Sequence, residues 1–467
     1  MHKPALTDAP VIDAFITKMA DEGLPDIFID IFAYYYEQLR QGHTGLIPES
    51  ELLPVDELPD SETFPAAYAE MGREVLGKTA VIKLNGGLGT SMGLKRAKSL
   101  LPIKGELTFL DIIARQVSEQ GVPLLLMNSF NTDEDSLAAL SKYPGLVVHD
   151  LPLSFLQHKA PKIRQADFQP ATWPTKPELE WCPPGHGDIY TALVTSGQLD
   201  ALLDAGYEYA FVSNVDNLGA VVDDAILGYF AQHQIPFMME VADRTLMDRK
   251  GGHLARRAAD GQLVLRESAQ CPPENKADFQ NIQRHKYFNT NNLWLNLPAL
   301  KALMVERNNR LGLPLIRNSK TVDPRDPAST PVYQMETAMG SAIGVFVGSQ
   351  AVRVPRSRFA PVKTTNDLLA VRSDGYRLTD DNRIILDSKA GGTVISLDVG
   401  YYKFVNDLDA RFLSGIPSLK KCTSFKVQGD VRFGRGVVCE GDVHLINESE
   451  RPARIPAGAV LTGKLVF

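Results

Sequence analysis

Ala80-Val-Ile-Lys-Leu-Asn-Gly-Gly-Leu-Gly-Thr-Ser-Met-Gly93 is an apolar run that ends in a glycine-dense loop, with Lys95, Arg96 and Lys98 close behind it. Ala80 to Leu84 suits a short buried strand. Gly86, Gly87, Gly89 and Gly93 leave the main chain open to close approach by a ligand, and successive N–H groups before a helix make an anion cradle. Phosphate is the expected guest. A plain strand-to-helix turn is the alternative, and the clustered basic side chains weigh against it. Counting excludes two familiar phosphate loops. A Walker loop needs Lys-Ser or Lys-Thr directly after its last glycine, whereas Leu94 follows Gly93, and Gly87, Gly89 and Gly93 are spaced one residue too widely for a dinucleotide fingerprint. The acidic residue that a dinucleotide fold expects after the second strand is replaced by Asn128.

Outward from this loop, Val122–Met127, Tyr209–Val212 and Pro236–Val241 read as further buried strands, separated by amphipathic Phe109–Val117 and Thr191–Leu203. The rhythm predicts an α/β fold, a Rossmann-like mixed or mostly parallel sheet covered by helices, over residues 78–375. In such sheets ligands bind beyond the carboxyl ends of the strands. Residues 1–77 read as a helical segment and a connector. Phe28, Ile31, Phe32, Tyr35 and Leu39 recur at helical spacing behind Pro25, and prolines at 48, 54, 59 and 65 alternate with acidic residues in a stretch that reads as linker rather than packed element. Residues 376–467 change character. Val427-Gln-Gly-Asp-Val431 and Cys439-Glu-Gly-Asp-Val443 repeat a Gly-Asp-Val step, which suggests rungs of a parallel β-helix, with an antiparallel meander as the alternative.

A chain of 467 residues calls for two or three domains, and 44% hydrophobic with 22% charged residues excludes disorder, collagen and coiled coil. The net charge of −7 argues against nucleic acid and against an anionic membrane surface as partners. Cys182, Cys271, Cys422 and Cys439 are dispersed without a CxxC pair, which suggests neither a zinc site nor a disulfide framework and fits a reducing compartment. Met1–Pro10 lacks a basic segment followed by an apolar run, and no stretch is long enough to span a bilayer, so a cytoplasmic protein is expected.

Polar residues cluster after the strands. In Trp181-Cys-Pro-Pro-Gly-His-Gly-Asp-Ile-Tyr190 two prolines and two glycines fix a loop with room for a flat group against the backbone; His186 either donates to a phosphate or sugar oxygen or simply partners Asp188. Phe211-Val-Ser-Asn-Val-Asp-Asn-Leu-Gly219 brings Asp216 to the ligand edge, where one carboxylate plus substrate phosphates can hold Mg²⁺, although Asp and Asn there are also ordinary turn and cap residues. Gly252, Glu267 and the amides of Phe288-Asn-Thr-Asn-Asn-Leu-Trp294 suit sugar hydroxyls, with loop formation as the alternative. Lys363 lies in Pro361-Val-Lys-Thr-Thr-Asn-Asp367. This set fits a reaction between two phosphorylated molecules. An ionised phosphate oxygen needs no general base, only alignment and positive charge.

Together the motifs from Lys83, Met127, Pro183, Val212, Phe288 and Pro361 resemble, in order, the signatures of the eukaryotic-type UTP–glucose-1-phosphate uridylyltransferase family, also called UDP-glucose pyrophosphorylases. The resemblance implies a nucleotidyltransferase (GT-A-like) sheet domain with a C-terminal left-handed β-helix. It implies Mg²⁺-dependent, reversible formation of UDP-glucose and pyrophosphate from UTP and glucose 1-phosphate. Carried over by motif, Leu84, Asn85, Gly86, Gly87, Met127 and Gly185 contact the nucleotide and Gln157 the uracil. His186 and Asn214 serve the sugar-phosphate side, Gly252, Glu267 and Asn292 the glucose hydroxyls, Lys98 and Lys363 the phosphates in transfer, and Asp216 the Mg²⁺. Relatives acting on N-acetylhexosamine phosphates carry an Arg where Gly89-Thr-Ser-Met-Gly93 stands, which favours glucose. A broader UDP-sugar pyrophosphorylase and a non-catalytic UDP-sugar-binding protein are the competing readings. In some members the terminal β-helix builds oligomers and in others it does not, so a homo-oligomer through the C-terminal domain stays open.

Overall fold

The structure, a computed structural model, describes residues 9–387 and 392–467. Most of the N-terminal stretch read for targeting lies outside the described residues. The chain is a mixed α/β protein that gathers into two compact units, each assembled from three chain segments: residues 1–82, 149–212 and 222–355, and residues 83–148, 213–221 and 356–467.

The first unit is organised by the strand Tyr287–Asn296, which is buried along most of its length and whose Trp294 side chain has no exposed surface. It runs antiparallel to both Tyr209–Asn214 and Phe237–Asp243, and Gln350–Arg353 adds to the latter in parallel, so the sheet is mixed. Trp294 faces Phe211 at 4.7 Å between ring centroids, an aromatic contact that consolidates the sheet. The register breaks where it matters. Glu240 pairs with Asn292 but Val241 with Asn289, leaving Thr290 and Asn291 as extra residues, and Asn291 takes a left-handed φ of 60°. Such a bulge turns side chains out of the ladder's alternation.

The predicted helix near Phe28 is Asp26–Arg40, starting directly after Pro25. Its buried face of Phe28, Phe32, Tyr36 and Leu39 packs with Phe15 and Met19 of Ala9–Asp21 and with Ile163, Leu315 and Met335. Each such side chain removed from water contributes about 1.5–3 kcal/mol. The amphipathic stretch Thr191–Leu203 divides into Ile189–Thr195 and Gln198–Asp204, because Gly197 sits at φ 74° and ends the first helix. A tighter packing point joins Ala66–Val75 to Asp224–Gln232. A Cβ on Gly72 would meet the Asp224 carbonyl oxygen at 1.8 Å, so only glycine permits this crossing.

The proline-rich stretch is not a loose linker. Ile47 N–H donates to the Gln270 carbonyl, Leu52 and Leu53 pair antiparallel with Arg257 and Arg256, and Arg353 N–H donates to the Pro59 carbonyl. Proline removes some donors from such a segment, but the remaining backbone groups find partners piece by piece.

The second unit has its own core, in which Met92, Phe109, Val362, Leu369, Tyr402 and Phe425 are all buried. Helix Phe109–Gln120 begins at a reciprocal Thr108–Asp111 capping box and stops at Gly121, φ 66°. In the tail, Val394–Leu397, Ser418–Gln428, Val438–Ile446 and Val460–Val466 pair successively in parallel, and Val431–Phe433 pairs in parallel with Ala453–Ile455. The expected antiparallel alternative is thereby excluded for these strands. The twelve-residue sequence repeat is not their spacing, however: Val427 lies opposite Leu445 and Val438 opposite Val460. Parallel strands need a connection long enough to return to the same end, and here each return takes more than the twelve residues of the repeat.

Candidate active site

In the second unit the glycine loop leaves the strand that ends at Asn85 and folds back on itself: Lys98 N–H donates to the Gly87 carbonyl at 3.1 Å. Gly89, at φ 67°, gives passage to the Lys98 stem, since a Cβ there would lie 3.3 Å from Lys98 Cγ and 2.9 Å from a Leu94 methyl. The loop does not run into an α-helix as expected. Two 3₁₀ turns follow instead, Thr90–Met92 between Gly89 and Gly93, both left-handed, and Lys98–Leu100. An anion cradle here therefore rests on loop N–H groups and cations rather than on a helix dipole. Among the described residues the N–H groups of Gly87, Leu88, Gly89 and Thr90 have no protein acceptor.

Three chain segments converge beside this loop. Lys98 Nζ reaches Asp216 Oδ2 at 2.5 Å, both side chains being largely buried. Val215 N–H donates to the Leu84 carbonyl, which ties the Asp216 turn to the end of the loop strand. Val362 N–H donates to the Asp216 carbonyl, and Asn217 bridges Pro361, so Lys363 is carried in next to Asp216. Lys363 itself is exposed, with its Nζ 5.9 Å from the Phe359 ring and its main-chain N–H on Asp367 Oδ2. Asn214 is half-buried at the end of its strand.

Two residues expected at the nucleotide have side chains that are otherwise engaged. Asn85 is buried and donates through Nδ2 to Asn128 Oδ1 and Ser136 Oγ, each at 2.8 Å, while Met127 is buried within its strand. Among the described residues Asn85 Oδ1 is buried without a hydrogen-bond partner, and Met127 has only its main chain to offer a polar ligand group. Lys83, in the middle of the signature, is likewise internal: its Nζ donates to Ser213 Oγ and to the Ala220 carbonyl, both at 2.7 Å.

The first unit holds a second polar set. Gly185 sits at φ 83°, ψ 165°, and a Cβ there would lie 2.4 Å from the Thr337 carbonyl oxygen. Thr337 N–H donates to the Pro184 carbonyl and Gly187 N–H to the Thr337 carbonyl, clasping the turn from both sides. His186 does not partner Asp188. Asp188 instead binds the main-chain N–H of His158 at 2.7 Å and His158 Nδ1 at 2.8 Å, which secures half-buried Gln157 beside the turn. Met339 N–H donates to His186 Nδ1 at 2.9 Å, so that nitrogen carries the lone pair and Nε2 the proton. Burial pushes the imidazole from 6.5 down to about 4. His186 is therefore a neutral donor. Because the folded value lies below the unfolded one, its contribution to stability is complete above pH 6.5 and is lost as pH falls towards 4. Melting midpoints measured across that window should fall with pH in the wild type and less steeply in a His186→Gln variant.

The remaining sugar candidates also meet. The Glu267 carboxylate lies 2.5 Å from where a Cβ on Gly252 would stand, and Asn289 N–H donates to the Gly252 carbonyl. Asn292 is buried, with Nδ2 on Glu240 Oε2 at 2.9 Å, while Trp294 Nε1 takes Glu240 Oε1 at 3.0 Å. Its side chain thus anchors the bulge that contains buried Asn289, whose Nδ2 donates to Asn291 Oδ1 at 2.8 Å. Residues 337–340 link the two groups, since Gly340 leaves only 2.8 Å between its Cβ position and Asn289 Nδ2. Neither Glu240 nor Met339 and Gly340 stood out in the sequence. A glycine in an apolar stretch at Gly340 was the available signal.

The comparisons with known proteins agree in one direction. A family model described as UTP–glucose-1-phosphate uridylyltransferase matches residues 26–440. The UTP–glucose-1-phosphate uridylyltransferase of Musa acuminata is 42% identical over 428 residues, covering 88% of each chain. That of Hordeum vulgare is 41% identical over 454 residues, covering 94% of this chain and 92% of its own. A solved variant of UDP-glucose pyrophosphorylase from Leishmania major in complex with UDP-glucose is 44% identical with a TM-score of 0.90, covering 98% of this chain and 99% of that one. A solved UDP-glucose phosphorylase from Trypanosoma brucei is 46% identical with a TM-score of 0.86, covering 98% and 100%. The chain belongs to the UTP–glucose-1-phosphate uridylyltransferase family.

Proposed function

We propose that the chain transfers a uridylyl group from UTP to glucose 1-phosphate, releasing pyrophosphate, and that it runs the reverse reaction with the same groups. The observation that carries this reading is the meeting of the glycine loop, the Lys98–Asp216 pair and the Lys363 segment in one unit. In this reading the loop N–H groups of Gly86 and Gly87, with the main chain at Leu84, Asn85, Met127 and Gly185, bind the nucleotide, and Gln157 reads the uracil. His186 and Asn214 receive the sugar phosphate; Gly252, Glu267 and Asn292 form the glucose end. The attacking phosphate oxygen is already ionised, so no base is needed. Lys98 and Lys363 offset the negative charge that grows on the bridging oxygen as pyrophosphate leaves.

Asp216 is a lone carboxylate, and among the described residues no cluster of three or more His, Cys, Asp or Glu gathers into a metal site. That donor set fits Mg²⁺, which keeps several waters and takes its other oxygens from substrate phosphates. When bound, Mg²⁺ would supply further neutralisation of the phosphates, and Asp216 is the residue that would hold it.

The parallel strands of the tail support a left-handed β-helix over residues 376–467, behind a helical segment and connector at 1–77 and the catalytic region at 78–375. Such a tail offers a surface to a second copy of the chain. The four free cysteines support a cytoplasmic setting. No helix among the described residues is long and apolar enough to cross a membrane.

Pyrophosphate release with UTP, Mg²⁺ and a panel of sugar 1-phosphates tests the reading. Glucose 1-phosphate should react fastest. Comparable rates with galactose or N-acetylglucosamine 1-phosphate would establish the broader enzyme instead, and UDP-glucose binding without release would establish a binding protein.

A further inference from the structure

Gly252 and Glu267 sit just outside a two-stranded ladder whose last pair is His253 opposite Arg266. Those two residues are polar yet have no exposed surface. The His253 ring stacks on His285 at 3.8 Å and lies 5.0 Å from Phe279, over which the Arg266 guanidinium is held at 5.7 Å. One carboxylate ties this group together. Glu49 Oε2 accepts from Arg266 Nη1 at 2.6 Å, and Glu49 Oε1 accepts from His285 Nε2 at 2.9 Å and from Arg284 Nε at 2.8 Å. Glu49 comes from the proline-rich stretch that the sequence reads as a linker, and its own N–H is fixed on Asn275 Oδ1. Two residues earlier, Ile47 N–H holds the carbonyl of Gln270, whose side chain accepts from Glu267 N–H at 2.9 Å.

We propose that Glu49 is a positioning residue for the sugar end of the site: by anchoring Arg266 and His285 it fixes the ladder end that presents Gly252 and Glu267 to the hexose hydroxyls. The proposal rests on the uridylyltransferase reading. It assigns Glu49 to recognition of the sugar and leaves uridine and triphosphate recognition untouched. The physical reason is that a buried guanidinium deprived of its carboxylate cannot stay where it is and must shift towards water or another acceptor. Arg266 is the residue directly before Glu267, so that shift moves the carboxylate.

Titration of the full chain with UDP-glucose and with UDP separates the effects, because UDP-glucose adds the hexose to the same diphosphate and the extra terminal-phosphate charge of UDP cancels when variant is compared with wild type. In Glu49→Gln, UDP-glucose should bind roughly tenfold more weakly, the loss typical of one charge-assisted hydrogen bond, while UDP affinity stays unchanged. KM for glucose 1-phosphate should rise in step while KM for UTP does not. Glu49→Asp should recover part of the UDP-glucose affinity. If Glu49→Gln shows no cooperative melt, Glu49→Asp and His285→Gln carry the comparison, each expected to lower the UDP-glucose to UDP affinity ratio by a smaller factor. Equal weakening of both ligands, or no change in the ratio, overturns the proposal. A wild-type chain that binds UDP-glucose more tightly than UDP yet releases no pyrophosphate overturns the catalytic reading and leaves the ratio test of Glu49 in force.

Discussion

Replacing Lys98 by Met should lower turnover with UTP and glucose 1-phosphate by about 10²–10³-fold, the usual cost of removing one preorganised group that meets charge developing in a transition state. The side chain is suited to this. Its stem is packed against Gly89, its main-chain N–H is fixed on the Gly87 carbonyl, and its ammonium is held by Asp216, so it is oriented before substrate arrives. Methionine keeps most of the stem's volume and removes the charge. KM for UTP should change far less than kcat, because the lost interaction strengthens as the bridging bond breaks. Lys363→Ala should act in the same direction. Its side chain is exposed, with Nζ 5.9 Å from the Phe359 ring, so its melting midpoint should stay close to that of the wild type. Steady-state rates for the two variants, read against their melting curves, separate catalysis from folding. Unchanged turnover in Lys98→Met would remove it from the reaction.

Gly185→Ala should be the most damaging conservative substitution on the nucleotide side. At φ 83°, ψ 165° an alanine incurs a backbone cost of about 1–3 kcal/mol. The added methyl would also stand 2.4 Å from the Thr337 carbonyl oxygen and 2.7 Å from the Thr337 nitrogen, main-chain atoms that cannot swing aside like the tip of a side chain. The turn must therefore move away from residues 337–339. That movement takes the His186 ring from the N–H of Met339. A displacement of about 1 Å at a positioning group can cost on the order of 10²-fold in rate. The variant should melt lower and lose most of its activity, and crystals of it should show residues 184–187 displaced. Wild-type activity and melting would mean that the clasp is not required.

These two sites also show how far sequence reasoning reached. The glycine loop, the turn at Asp216, the segment at Lys363 and the Pro-Pro-Gly-His turn are legible because each is written in consecutive residues with constrained backbone chemistry. What the loop leads into was not legible. The loop was expected to run into a helix, yet Gly89 and Gly93 both adopt left-handed conformations and close a short turn instead. Asn85 and Met127 belong to motifs at a ligand edge, but their strands are buried on both faces, so their side chains are internal whichever face they occupy. Partners from distant segments were invisible for the same reason. Nothing near Asn292 announces Glu240, nothing near Asp188 announces His158, and a stretch of alternating prolines and acids gives no hint that Glu49 holds a buried arginine. The tail does hold parallel strands, but the repeat that suggested them is not their pairing, since Val427 lies opposite Leu445.

The central claim, that main-chain groups of the glycine loop with Lys98 and Lys363 hold the phosphates of a uridine nucleotide, is tested most directly by a crystal structure with UDP-glucose and Mg²⁺. The account predicts phosphate oxygens within hydrogen-bond distance of the N–H groups at Gly86 and Gly87, with Asp216 facing the metal ion. A diphosphate bound away from Gly86, Gly87 and Lys98 would contradict it.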